Sequence, residues 1–177
     1  MPVLLNKLIG TKFKLVTGYP GGNELNLALE RGEIQGRGSN SWASWKSTRP
    51  QWLAEKKLII IVQIGLQRAP DLPDVPTMIE LASNDLDKAV ARFISSDTAI
   101  SRAVITTEGT PRDRVAALRR AFDATMKDSE FLAEAAKTQM DITPLSGEES
   151  QKIADSIVNT PQAVIARARE LLGDMLR

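Results

Sequence analysis

Two short glycine-rich segments contain the residue types best suited to bind a small anion. Residues 18–23 read Gly-Tyr-Pro-Gly-Gly-Asn and precede a predicted helix, and residues 36–39 read Gly-Arg-Gly-Ser. Glycines let the backbone approach a ligand closely, and a helix N-terminus offers unpaired N–H groups at a positive dipole end. An arginine side chain can bind a carboxylate at two points. These features predict a carboxylate site made by Gly18, Tyr19, Pro20, Gly21, Gly22, Asn23, Arg37, Gly38 and Ser39.

Each of these residues also has a purely structural interpretation. The glycines could simply form a tight turn, and Arg37 could be a surface residue paired with Glu33 or with solvent. Tyr19 could close over a ligand or pack beneath the turn. Trp42 and Trp45 lie three residues apart on a predicted helix, and packing explains them better than stacking on a ligand does.

The composition argues against most kinds of enzyme chemistry. The chain has no histidine and no cysteine, which removes thiol nucleophiles, histidine general catalysis and the usual zinc ligands. Residues 18–24 lack the lysine of a phosphate-binding loop, and residues 36–38 are only a fragment of a dinucleotide motif. Asp71 and Asp74 could suggest a catalytic pair, but the prolines around them favour a turn. We therefore expect a non-enzymatic protein without a metal or cofactor.

The charge balance bears on the kind of partner. Lys plus Arg is 23 and Asp plus Glu is 22, so the net charge is +1. This near-neutrality argues against a nucleic-acid partner and against binding to an anionic membrane surface. The longest apolar run, residues 58–62, is too short to span a bilayer, and no signal peptide is visible at the start.

The first half of the chain alternates strand-like and helix-like segments. β-prone residues fill 12–17, 33–39 and 57–65, and the last of these is apolar at successive positions, as in a strand buried on both faces. Helical patterns separate them, the first with Asn23 as its predicted N-cap. This alternation predicts βαβ units and an α/β fold. Ligands in such folds bind beyond the carboxyl ends of the strands, where residues 18–23 and 37–39 fall.

The second half is almost entirely helical in pattern, apart from a β-prone segment at residues 103–106. In the first half, residues 3–9 are predicted as the last turns of a helix that ends at Gly10, and residues 85–93 as a further helix. The last helix is predicted to run to Leu176. This change of pattern predicts a boundary near residues 95–102, with an α/β lobe over 1–98 and a crossover strand with C-terminal helices over 99–177. The predicted helix starts are Thr77 with Glu80 and Ser146 with Glu149 as capping boxes, Pro111 as a first helical residue, and Asp128 and Pro161.

Three motifs, in this order, resemble those of the tripartite tricarboxylate transporter substrate-binding proteins, the Bug or TctC-type receptors. They are Val16-Thr17-Gly18-Tyr19-Pro20-Gly21-Gly22, then Leu29-Glu30-Arg31-Gly32-Glu33-Ile34, then Leu72-Pro73-Asp74-Val75-Pro76-Thr77. Residues 107–111, Thr-Glu-Gly-Thr-Pro, and the C-terminal helices match the same family. The resemblance therefore covers nearly the whole chain.

The resemblance implies a fold, a site and a role. Family members are periplasmic, bilobal receptors of the type II binding-protein fold that close on small carboxylates and deliver them to membrane transporter subunits. The family loop that matches residues 18–22 lines the cleft. Because the family's N-terminal portion is missing here, we expect a partial α/β lobe with a C-terminal helical segment. Apolar helix stripes that pack on the missing lobe in the family then predict a homo-oligomer.

Two other roles fit the same residues. The chain could be a cytoplasmic small-molecule sensor or regulatory domain of the same architecture, or a truncated receptor without function. A DNA-binding segment elsewhere in the gene would favour the sensor. The periplasmic location is implied by the resemblance alone, and the lack of a visible signal peptide is compatible with the cytoplasm.

Overall fold

Helices make up the regular secondary structure in the described part of the chain, residues 1–138 and 140–173 of a computed structural model. The helices are α1 (Pro2–Ile9), α2 (Gly22–Glu30), α3 (Trp42–Thr48), α4 (Pro50–Ala54), α5 (Met78–Leu81), α6 (Asp85–Ile100), α7 (Arg112–Thr125), α8 (Ser129–Lys137), α9 (Gly147–Val158) and α10 (Gln162–Leu172).

The hydrophobic core lies where α1, α5, α6 and α10 meet. The long helix α6 packs against α5, α9 and α10, and α10 also packs against α1. Leu4, Met78 and Val90 are fully buried at this junction, and Ala168 and Leu171 add the apolar face of α10. Full burial of a leucine, valine or methionine side chain contributes about 1.5–3 kcal/mol. The first and last described helices, α1 and α10, therefore share one core.

Local signals begin and end several of these helices as the sequence predicts. The capping boxes predicted for Thr77 with Glu80 and for Ser146 with Glu149 are confirmed at α5 and α9. In each, the hydroxyl accepts from the backbone N–H three residues later, and the glutamate carboxylate accepts from the N-cap N–H. Gly10 ends α1 in the left-handed conformation, at φ 73°, which glycine adopts without a steric penalty.

The predicted α/β fold is wrong, because the described residues contain no β-strand and no sheet. The segments predicted as strands, residues 12–17, 33–39, 57–65 and 103–106, form no ladder with one another. The described residues contain an isolated parallel β-bridge between Gln63 and Thr77. The partial type II binding-protein lobe that the resemblance implies is therefore contradicted.

A strand-like sequence is not sufficient for a strand, because its backbone groups need a partner. Residues 58–62 have the alternation of a strand: the even-numbered side chains are half-buried, while Ile59 and Ile61 are 86% and 57% exposed. No neighbouring strand lies beside this segment within the described residues. The apolar run is therefore a surface segment and not the doubly buried strand that its composition predicts.

Within residues 12–17, the backbone N–H and carbonyl of Phe13 form hydrogen bonds with a side chain in place of a neighbouring strand. The side-chain amide of Asn6 donates to the carbonyl of Phe13 and accepts from the N–H of the same residue, each at 2.8 Å. The hydroxyl of Thr11 donates to the same amide oxygen, also at 2.8 Å. A single side chain of α1 thus takes the place that a neighbouring strand would occupy at Phe13.

The bounds of α2 and α6 differ from the prediction. α2 begins at Gly22 with Gly21 as its N-cap, so Asn23 lies inside the first turn and does not cap the helix. α6 continues to Ile100, beyond the end predicted at Phe93. α6 is longer than predicted because its apolar side packs against α5, α9 and α10 along its length, and such packing is not encoded in a local motif.

Further along the chain, Pro111 is the N-cap of α7 and not its first helical residue. The predicted end of the last helix at Leu176 lies outside the described residues. The division into residues 1–98 and 99–177 stays a prediction. None of the described helices has both the length and the apolarity that a membrane crossing requires.

Candidate carboxylate-binding site

The first turn of α2 presents unpaired backbone donors. Gly21 is its N-cap, with an extended backbone at φ −165°, and it has no side chain to cap the helix. The N–H of Leu25 donates to the Gly21 carbonyl at 3.2 Å, whereas the N–H groups of Gly22 and Asn23 have no acceptor among the described residues. These donors lie at the positive end of the helix dipole. The turn can therefore attract an anion.

Glu24 is the nearest acidic side chain to these donors. It is the third residue of α2, and its Oε2 lies 2.9 Å from the position that a Cβ would take on Gly21. A carboxylate at this position interacts favourably with the helix dipole. Any side chain at residue 21 would displace Glu24, so the glycine leaves room for this internal anion. An external carboxylate must bind beside Glu24.

The guanidinium of Arg37 packs against the same turn. Its Nη1 donates to the Gly22 carbonyl at 3.5 Å and to Oδ1 of Asn26 at 2.9 Å. Its Nε donates to the Ser39 carbonyl at 3.2 Å, and its Nη2 donates to Oδ1 of Asn40 at 3.1 Å. Four of its five N–H groups are therefore engaged, and one on Nη2 remains available. The two-point binding of a carboxylate that the sequence suggested is not open in this arrangement.

Arg37 carries a charge without an ion-pair partner within the described chain. The alternative pairing with Glu33 does not occur among the described residues, and Oε1 of Glu33 instead lies 3.7 Å from Nη1 of Arg31. Partial burial lowers the pKa of Arg37, although a guanidinium remains charged at any physiological pH. Its carbon Cζ lies 5.3 Å from the centroid of Trp45, which adds a cation–π contact. The structure thus holds a half-buried positive charge against the positive end of α2.

The tryptophans beside Arg37 are packing residues. Trp45 is 7% exposed and its ring lies 5.9 Å from that of Trp52, at an angle of 32°. Cζ of Arg49 lies 5.6 Å from the centroid of the Trp52 ring. Each of these two tilted indoles therefore has an arginine in cation–π contact, Arg37 at Trp45 and Arg49 at Trp52. This arrangement favours the packing interpretation of Trp45.

The other tryptophan of α3 belongs to a separate polar cluster. Nε1 of Trp42 donates to Asp71 at 3.1 Å, and Nζ of Lys46 donates to the same carboxylate at 2.8 Å. Lys46 also forms an ion pair with Asp141. Lys46 first, and Trp42 second, lower the pKa of Asp71. Asp71 therefore anchors a turn to α3, which favours the structural interpretation of that aspartate.

The remaining predicted site residues are only partly brought together. The backbone at Gly18 has φ 101°, a conformation that favours glycine. Gly18 and Pro20 are both exposed in the segment before α2. Tyr19 is half-buried. A Cβ on Gly38 would lie 2.7 Å from a ring carbon of Pro2, so this glycine permits contact with α1 and not with a ligand. The predicted site thus reduces to the α2 turn, Arg37 and the Ser39 carbonyl.

Two residues of the site were missed by the sequence prediction. Asn26 is 3% exposed and Asn40 is half-buried, and both orient Arg37 through their side-chain oxygens. Asn26 follows Gly22 by four residues, so both lie on one face of α2. An asparagine on the inner face of a helix is a signal that could have identified it, because buried polar groups require partners.

Two grooves lie elsewhere on the molecule. A groove of about 350 Å³ runs between α6, α9 and α10, and another of about 430 Å³ lies between α7 and the start of α9. Neither groove is lined by Arg37 or by the residues that contact it. Within the described residues, no cluster of acidic side chains has the geometry to hold a metal ion.

Comparisons with protein-family models, with curated proteins and with solved structures found no match to this chain.

Proposed function

We propose that this chain is a non-enzymatic binding protein for small carboxylates, held by Arg37 and the first turn of α2. The supporting observation is a half-buried guanidinium without an ion-pair partner in the described chain, placed at the positive end of a helix. Nη2 of Arg37 lies 3.0 Å from the position that a Cβ would take on Gly22. The free Nη2 donor and the N–H groups of Gly22 and Asn23 can therefore converge on one carboxylate.

This geometry supports a carboxylate as the ligand class and carries no information about the rest of the ligand. Backbone N–H groups and a single guanidinium donor recognise the carboxylate oxygens, and they make no contact with the rest of the molecule. The site therefore suits small mono- and dicarboxylates as a class. Because the backbone donors are already fixed by the helix, binding loses little conformational entropy.

An NMR titration with acetate and succinate tests the site, with neutral succinamide as the ligand control. We expect saturable amide shifts centred on residues 21–24 for the two carboxylates and none for succinamide. Arg37→Lys keeps the charge but loses the planar donors that bind Asn26 and Asn40, so we expect weaker binding. Shifts spread evenly over the surface, or equal affinity in Arg37→Lys, would contradict the proposed site.

Two glycine variants separate the site from general effects of substitution. Alanine at Gly22 places a Cβ 3.0 Å from Nη2 of Arg37 and displaces the guanidinium, whereas a Cβ on Gly36 meets no atom within 4 Å. We expect Gly22→Ala to weaken carboxylate binding and Gly36→Ala to leave it unchanged, with both proteins folded by circular dichroism. Equal binding by the two variants would show that the Gly22 turn takes no part.

The wider role in this proposal is that of a receptor that delivers carboxylates to a tripartite tricarboxylate-type transporter in the periplasm. Its support is the three motifs that resemble this family, since the described residues do not form the α/β lobe of such receptors. Cell fractionation tests the location directly, and recovery in the cytoplasmic fraction would favour a sensor role for the same site.

A further inference from the structure

Residues 102–108, Arg-Ala-Val-Ile-Thr-Thr-Glu, connect α6 to α7 and expose two apolar side chains to solvent. Val104 is 83% exposed and Ile105 is 85% exposed. Residues 103–107 form neither helix nor turn. Their backbone N–H groups from Val104 to Thr106 find no acceptor among the described residues. A β-prone segment with free backbone groups and exposed apolar side chains is suited to pairing with a second strand.

The charges at the two ends of this segment identify its partner. Arg102 and Glu108 lie three residues before and three residues after Ile105. When two copies pair antiparallel about Ile105, residues at equal distances from it face each other. Arg102 of each copy then faces Glu108 of the other, so the same ion pair forms twice. Val104 faces Thr106, and the two isoleucines meet at the two-fold axis.

The other exposed β-prone segments lack this self-complementarity. Residues 12–17 carry two lysines and no acidic residue, and Phe13 already bonds with Asn6. Residues 58–62 carry no charge that could select a partner or a register. We propose that two copies of this chain associate through antiparallel pairing of residues 102–108. This pairing is independent of carboxylate binding and gives the expected homo-oligomer a specific interface.

The size of the contact determines how the dimer should behave. Five extended residues with one charged turn residue at each end make a short interface, at the small and transient end of protein association. The dimer should therefore form in a concentration-dependent way and exchange rapidly. Ion pairs between exposed strands are screened by salt, so association should weaken as the ionic strength rises.

Cysteine cross-linking tests the pairing directly, because the chain contains no other cysteine. In the proposed register, Ile105→Cys places two thiols directly opposite each other, with Cβ atoms about 4.5–5.5 Å apart, which is near the separation that a disulfide requires. Val158→Cys is the matched control, since Val158 is a similarly exposed valine, at 82%, on α9. We expect rapid disulfide dimers from Ile105→Cys and far slower ones from Val158→Cys. Equal rates would overturn the proposal.

Charge reversal in the Ile105→Cys background tests the register. Arg102→Glu places like charges opposite each other twice per dimer, as does Glu108→Arg, and we expect each to slow cross-linking by about tenfold or more. The double variant Arg102→Glu with Glu108→Arg restores both ion pairs and should restore the rate. Sedimentation of the cysteine-free parent from about 10 μM to about 1 mM covers the range in which such short contacts associate. A monomer throughout, or single reversals without effect, would refute the pairing.

Discussion

The ion pair between Asp87 and Arg167 joins the first turn of α6 to α10. Nε of Arg167 donates to Oδ1 of Asp87 at 2.8 Å, and Nη2 donates to Oδ2 at 3.4 Å. The aspartate side chain is only 6% exposed, and the arginine side chain 27%. Arg167 is the main cause of a lowered pKa at Asp87, with a smaller contribution from Asn84. The pair is therefore a sensitive point at which to perturb the packing of the core helices.

We predict that Arg167→Gln lowers the free energy of unfolding by about 2 kcal/mol at neutral pH, because hydrogen bonds to charged groups contribute about 1.5–3 kcal/mol. Removal of one partner of a fully buried pair costs about 3–5 kcal/mol. The lower value applies here because Arg167 is partly exposed and Asn84 continues to donate to the carboxylate at 2.8 Å. The control is Lys137→Gln, which breaks a pair with Glu134 at 3.2 Å between side chains that are 73% and 68% exposed. We expect that control to cost less than about 0.5 kcal/mol.

Urea unfolding of the parent and both variants measures these differences. Because folding lowers the pKa of Asp87, its contribution to stability is complete above the ordinary value of 3.8 and is lost as the pH falls through the folded value. The difference between the parent and Arg167→Gln should therefore shrink as the pH falls from about 5 to about 2. A cost for Arg167→Gln no larger than for Lys137→Gln would refute the reasoning.

Two further predictions concern single polar side chains. Arg68 first, and Thr77 second, lower the pKa of Glu80 to about 2. The parent should therefore lose more thermal stability than Glu80→Gln as the pH falls from about 4.5 to about 2, and equal losses would contradict this. The hydroxyl of Ser95 is buried with no partner in the described chain, whereas that of Ser96 donates to a backbone carbonyl of its own helix at 2.8 Å. Ser95→Ala should be neutral or stabilising, and Ser96→Ala should cost about 0.5–1.5 kcal/mol in urea unfolding; the opposite order would show that Ser95 has a partner.

The starts of α5 and α9 were predictable because their signals are local. A capping box needs only a hydroxyl residue and a glutamate three positions later, and both are visible in the sequence at Thr77 and at Ser146. The extent of α6 was not predictable in this way, since it depends on packing against α5, α9 and α10. The strand predictions were wrong because they too depend on contacts that a local pattern does not encode. Residues 57–65 have the composition of a buried strand, but a strand forms only beside a neighbouring strand.

The candidate site was predictable in its residue types and not in its hydrogen bonds. Glycines before a helix and an arginine in a nearby turn indicate an anion site, and the structure does place Arg37 against Gly22. The prediction could not show that Asn26 and Asn40 would occupy the guanidinium donors. Acceptor groups come from positions eleven residues before Arg37 and three after it, and only the folded backbone brings them together.

The contrast between the helices and the unpaired segments explains where this chain should make external contacts. A helix satisfies its backbone internally and needs only an apolar stripe to bury, so α1, α6 and α10 can form a core among themselves. A β-prone segment needs backbone partners as well, and the described chain offers none to residues 58–62 or 104–106. Of these two surfaces, residues 58–62 can pair with many sequences because no charge fixes a register. Arg102 and Glu108 confer on the second segment a preference for its own copy, and selective association should therefore occur there.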